Sequence, residues 1–167
     1  VGIVTRTDIL ETLTPPQAQS GKRNLADKLE NALSQDWLHI LKEIAQIAQQ
    51  QHSAIYIVGG FVRDLLLGYP SLDFDLVVEG DAIQVAQSVK NKLGGRVATH
   101  KRFGTAKWFL EPPGAQPGAQ IGNPTTLDFI TARREFYTHP TALPTVERGS
   151  IKLDLHRRDF TINTLAL

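Results

Sequence analysis

The chain has 167 residues, 41% of them hydrophobic, a net charge of +1 and no cysteine. That is enough apolar material for one core of ordinary size, and a charge too near neutral to announce a nucleic-acid partner by itself. Disulfides, thiolate metal sites and a cysteine nucleophile are excluded. No apolar run is long enough to span a bilayer and nothing at the start resembles a signal peptide, which points to a cytoplasmic domain with no membrane partner.

The opening, Val1 to Leu10, reads as a strand followed by Asp8 near a helix start. Those residues resemble the last strand and helix start of a CBS domain, a regulatory module that often binds adenine nucleotides; the plainer reading is an ordinary strand followed by Asp8 near a helix start. A polar stretch from Thr12 to Asn24, broken by Pro15, Pro16 and Gly21, then serves as a linker. The expected division is therefore a CBS-like tail over 1–12, a linker over 13–33 and one domain over 34–167. The chain contains no methionine and stops at Thr164–Leu167, inside what reads as a helix barely started, so it is expected to be cut from something longer.

From Ser34 onward, Trp37, Leu38, Leu41, Ile44, Ala45 and Ala48 recur at helical spacing, an amphipathic helix whose stripe is core packing. Ile55 to Val58 is a short apolar strand. Phe61 to Leu67 is a short helix ended by Gly68, where a left-handed cap is usual. Leu72 to Val78 is a second strand, and Asp81 caps a helix running to Leu93 before Gly94 and Gly95. Strands follow around Arg96–Thr99, Thr105–Leu110 and Leu127–Ala132. Glu111 to Pro124 is a Pro/Gly-rich loop, a tolerated hairpin insertion or a substrate contact. Arg133 to Ile151 reads as a long polar connection able to move as substrate enters. The fold class is α/β to α+β, a small twisted sheet with helices on one side.

The chemistry concentrates in Ile55 to Leu76. A strand runs into Gly59 and Gly60, and the following helix N-terminus offers unpaired N–H groups and partial positive charge to a phosphate chain. On the next strand Asp73 and Asp75 point one way, while Leu72, Phe74 and Leu76 point the other. Two carboxylates on one face can hold a pair of hard divalent cations. Alone, a Gly-Gly pair is most often a turn and an Asp-x-Asp most often a solvated strand edge; together they are the toolkit of nucleotidyl transfer. The pattern lacks the third glycine of a dinucleotide fingerprint and the Gly-Lys-Ser/Thr of a P-loop. Asp128, alternating with Leu127 and Phe129, is either a third carboxylate or a solvated strand residue. The basic residues are grouped as Arg96, His100, Lys101 and Arg102, then Arg133 and Arg134, then Arg157 and Arg158, either to meet phosphate or as ordinary surface charge.

Three stretches, Val58 to Gly68, Leu72 to Leu76 and Arg157-Arg-Asp-Phe-Thr-Ile-Asn163, resemble the catalytic head of the tRNA nucleotidyltransferase and poly(A) polymerase family in order and spacing. The resemblance covers about 36–167. It implies the polymerase-β-like nucleotidyltransferase head, a small mixed sheet flanked by helices, truncated before the neck. It implies magnesium, two ions, on Asp73 and Asp75, with Asp128 as a further ligand or proton acceptor five residues before Arg133. Gly60 and Arg63 would bind the nucleotide with Gly59 beside them, as would Arg158 with Arg157. Asp159 and Asn163, four apart on one helical face, would brace the arginines or the ribose. The implied reaction adds CMP or AMP from CTP or ATP to the tRNA 3′ end. Base choice would rest with a neck helix, and tRNA with body and tail domains, none of them in this chain. Alternatives are a poly(A) polymerase, a non-catalytic RNA-binding module of the same fold, and a nucleotidyltransferase acting on a small molecule or protein.

Overall fold

The structure is a computed structural model that describes residues 24–69, 74–110, 126–136 and 145–167. The stretch read as a CBS-like tail, the first half of the stretch read as linker, Asp73 and the stretch 111–124 read as a loop lie outside the described residues. The first element, α1 (Ala26–Ala32), falls within the stretch read as linker; Leu29 and Ala32 pack on the core and Leu33, just after it, is buried.

Local chemistry sets most of the boundaries. Helix α2 (Gln35–Gln50) starts where the Ser34 side chain accepts from the Trp37 N–H, and it buries Trp37, Leu38, Ile44, Ile47 and Ala48. Ala45, expected in that stripe, is exposed, and Ile47 takes its place on the buried arc. Strand β1 (Ala54–Val58) leads into α3 (Gly60–Leu67), which ends at Gly68 with φ 79°. Strand β2 (Asp75–Glu79) is followed by α4 (Ala82–Leu93), whose Gln84 N–H is accepted by the Asp81 carboxylate at 3.0 Å. Then come β3 (Arg96–His100), β4 (Thr105–Phe109) and β5 (Thr126–Thr131).

These strands form one mixed sheet in the order β1-β2-β5-β4-β3, with β2 and β5 parallel and the other neighbours antiparallel. One face, through Leu76, Val78, Trp108, Leu127 and Phe129, packs on α2, α3 and α4. Trp108 is fully buried and its indole N–H donates to the Gly94 carbonyl at 2.9 Å, closing α4 onto β4. Trp108→Ala is expected to lower unfolding free energy by about 3–5 kcal/mol, read as a fall in denaturant midpoint.

Three expectations are corrected. Helices are not confined to one side, because α5 (Ile151–His156) covers the opposite face, where Ile151 and Leu155 meet Val58, Val77 and Ala132. The 133–151 connection carries a hairpin of β6 (Arg133–Phe136) and β7 (Thr145–Arg148), with Arg134 bonded to Glu147 across the strands at 2.6 Å. The last residues are extended, not helical. Gly59 N–H donates to Leu165 O at 2.9 Å, and Ile57 and Leu167 exchange two bonds at 2.8 Å. Strand β1 is a sheet edge whose open N–H and C=O groups need partners, and that demand outweighs the helical propensity of Thr-Leu-Ala-Leu.

Candidate active site

Register brings the glycine turn and a carboxylate together. Val58, the last residue of β1, is opposite Asp75, the first residue of β2. The chain turns at Gly59, with φ 83° and ψ −132°, a conformation open to glycine alone. A Cβ built on Gly59 would lie 3.6 Å from Arg158 Nη1, 3.8 Å from the Asn163 carbonyl and 4.0 Å from Asp75 Oδ2. Helix α3 starts there, held by buried Phe61, Val62 and Leu65; the Phe61 ring stacks on Phe74 with centroids 4.3 Å apart. Packing thus fixes where the N–H groups of its first turn point.

Asp75 is also paired in register with Asp128 on the parallel neighbour β5, so the two carboxylates share a face. Leu127 and Phe129 on either side of Asp128 are fully buried in the other direction, as alternation requires. Lys107, opposite Asp128 on β4, sets its ammonium 2.9 Å from Asp128 Oδ2. Lys107 escaped notice in the sequence, although its place between buried Ala106 and Trp108 already turns it to the carboxylate face. Among the described residues no group of three His, Cys, Asp or Glu side chains could hold a metal. The donors present are hard oxygens on adjacent strands, with Asp73 two residues before Asp75, and that chemistry fits a magnesium ion.

The cations are held in fixed forks. Arg63 donates from Nε to Asp64 Oδ1 at 2.8 Å and from Nη1 to Asn163 Oδ1 at 3.0 Å. The Asp64 hydrogen bond raises the guanidinium pKa above its ordinary value, so Arg63 is always charged. Arg157 and Arg158 both fork onto Asp154, which is completely buried, with shortest contacts of 2.7 and 3.1 Å. Helix α5 carries Asp154. It forms because Ser150 caps the Leu153 N–H and Glu79 Oε1 accepts the Ile151 N–H at 2.6 Å, satisfying two of its open donors.

Arg133, Arg157, Arg158, Asp159 and Asn163 line a cleft of about 370 Å³ with Thr105 and Ile130. The expected sharing of a helical face by Asp159 and Asn163 is not found. Asn163 lies in a 3-10 turn (Thr161–Asn163) and braces Arg63, while Asp159 is exposed in a bend before it. The brace for the arginine pair is Asp154 instead. Its signal was its spacing, three and four residues before Arg157 and Arg158, within a stretch that forms a helix.

The family model for the poly(A) polymerase head domain matches residues 55–167. The chain is 39% identical over its whole length to the A-adding tRNA nucleotidyltransferase of Geobacter sulfurreducens, of which it spans 19%. Among solved structures it superposes on a CCA-adding enzyme in its apo form II with a TM-score of 0.73 at 36% identity, covering 86% of this chain and 31% of that one. A tRNA nucleotidyltransferase complexed with a primer tRNA and an incoming ATP analog matches with a TM-score of 0.56 at 41% identity, over 74% of this chain and 30% of that one. This chain therefore spans a fifth to a third of the length of these three relatives, and it belongs to the poly(A) polymerase head domain family.

Proposed function

We propose that this chain is the catalytic head of a longer, template-independent tRNA nucleotidyltransferase that transfers AMP from ATP to the tRNA 3′ end, as in A-adding or CCA-adding enzymes. The observation that carries the reading is the meeting of the Gly59 turn, Asp75 and Arg158 within 4.0 Å of one point at the end of β1. A phosphate chain needs N–H groups and fixed cations, and its transfer needs hard anionic ligands beside them.

In this reading the primer 3′-oxygen forms a bond to the α-phosphorus, the bond from that phosphorus to the β-bridging oxygen breaks, and pyrophosphate leaves. Bound by Asp73, Asp75 and Asp128, two magnesium ions would supply Lewis-acid activation of the hydroxyl and neutralise the phosphates. The N–H groups at the start of α3 face the triphosphate, and Gly60 lets it approach the backbone closely. Arg63 and Arg158 add charge in preset orientations, because each fork is already bonded to a carboxylate. Arg157 shares the fork, Asp159 lines the cleft for the ribose, and Asn163 holds Arg63. As the alternative to ligating a metal, Asp128 would take the hydroxyl proton, with Lys107 holding the carboxylate in its rotamer.

In this reading RNA lands beside the cleft. Lys101 and Arg102 are exposed on a 3-10 turn, and Phe103, 47% exposed, offers a stacking face. Arg133 Nη1 donates to the Phe103 carbonyl at 3.3 Å, tying this turn to the cleft. A double Lys101→Glu, Arg102→Glu change is expected to raise KM for tRNA about tenfold and flatten its salt dependence, with KM for ATP unchanged.

The deciding experiment gives the full-length protein labelled ATP or CTP and tRNA transcripts ending in the discriminator base, C or CC. Addition of A only to the CC transcript identifies a terminal-adenosine enzyme, and sequential C, C, A on the shortest identifies full CCA addition. Long A tracts on unrelated RNA mean a poly(A) polymerase. No incorporation with magnesium present leaves a non-catalytic RNA-binding module.

A further inference from the structure

We propose that Asp154 is a positioning residue for nucleotide binding: it holds Arg158 so that Nη1 faces the Gly59 turn where the triphosphate sits. The inference rests on the nucleotide-binding reading of that turn. Asp154 is the one fully buried charged side chain among the described residues. Its Oδ1 accepts from Arg157 Nε at 3.0 Å and Nη2 at 2.7 Å, and from the Arg133 backbone N–H at 3.4 Å. Its Oδ2 accepts from Arg158 Nε at 3.3 Å and Nη2 at 3.1 Å. One carboxylate therefore sets two guanidiniums and the first residue of β6.

The planar guanidinium makes this an aiming device. With Nε and Nη2 both on Oδ2, the remaining nitrogen of Arg158 has one direction, and it lies 3.6 Å from the Cβ position of Gly59. The two arginine side chains are 23% and 18% exposed, so the fork is largely shielded from solvent. Two cations on one anion leave a net positive charge facing the cleft. A neutral residue at 154 would leave the guanidiniums to repel each other and turn outward. Asp154 touches no substrate in this arrangement; it acts through Arg158.

The test uses the full-length protein with ATP binding as its main readout, followed by fluorescence of a labelled analogue, so that it does not depend on transfer to tRNA. Asp154→Asn is expected to weaken ATP binding about 10- to 100-fold with tRNA affinity unchanged. Arg158→Ala is expected to do the same, and the double variant to lose no more than either single one. Arg158→Lys keeps the charge and Asp154 but lacks the second fork nitrogen, so it should lose nearly as much as Arg158→Ala. It also serves if Asp154→Asn does not fold. Wild-type ATP affinity in Asp154→Asn, losses that add, or full retention in Arg158→Lys overturns the proposal. Normal ATP binding by the wild type without AMP transfer would sink the tRNA reading and leave this one standing.

Discussion

Asp75→Asn in the full-length protein is expected to lower magnesium-dependent AMP transfer by about 10³-fold or more, equivalent to roughly 4 kcal/mol at the transition state. The amide has the shape of the carboxylate but not its charge, so packing at the start of β2 is preserved. Stability should change little, because relief of the repulsion from Asp128 in register is countered by the lost attraction to Arg158 beside the same turn. Lys107 on Asp128 already offsets part of that repulsion, which keeps the relief small. Single-turnover transfer and a thermal melt of the same sample check both halves. An active variant with an unchanged metal requirement would remove Asp75 from the chemistry; an inactive but unfolded one would make it a structural residue.

Gly59→Ala is expected to act through the backbone. The contacts a Cβ would make, 3.6 to 4.0 Å, are ordinary van der Waals distances, so there is no steric clash to relieve. The cost lies in φ 83° and ψ −132°, which no L-residue adopts without about 1–3 kcal/mol of strain. Rotating out of that strain shifts the start of α3 and the bond from Gly59 N–H to Leu165 O, and with them the N–H groups aimed at the triphosphate. A displacement of that size should cost about 10²-fold in kcat/KM as well as the lost stability. Gly60→Ala is the informative contrast. Gly60 is already helical and a Cβ there would meet only Arg63 Nη2 at 3.6 Å, so the protein should fold normally and lose ATP affinity alone. Equal melting temperatures for Gly59→Ala and the wild type would contradict the strain argument.

The parts legible in the sequence are those whose causes lie within four or five residues. Ser34 and Asp81 as helix caps, Gly68 as a left-handed stop, and the alternation that turns Asp128 away from Leu127 and Phe129 are such cases. The pairing of glycine turn and carboxylate strand was legible too, since one short helix separates them. What the tertiary structure decided depends on groups far apart in the chain. Arg63 is braced by Asn163 one hundred residues later, and the β1 edge is closed by the final residues. The parallel pairing of β2 with β5 puts Asp75 beside Asp128. In the sequence Asp154 is one of 17 acidic residues, set apart only by its spacing from Arg157 and Arg158. Only the covering of the sheet's second face by α5 buries it, and burial is what turns a nearby acid into the fixed partner of two arginines.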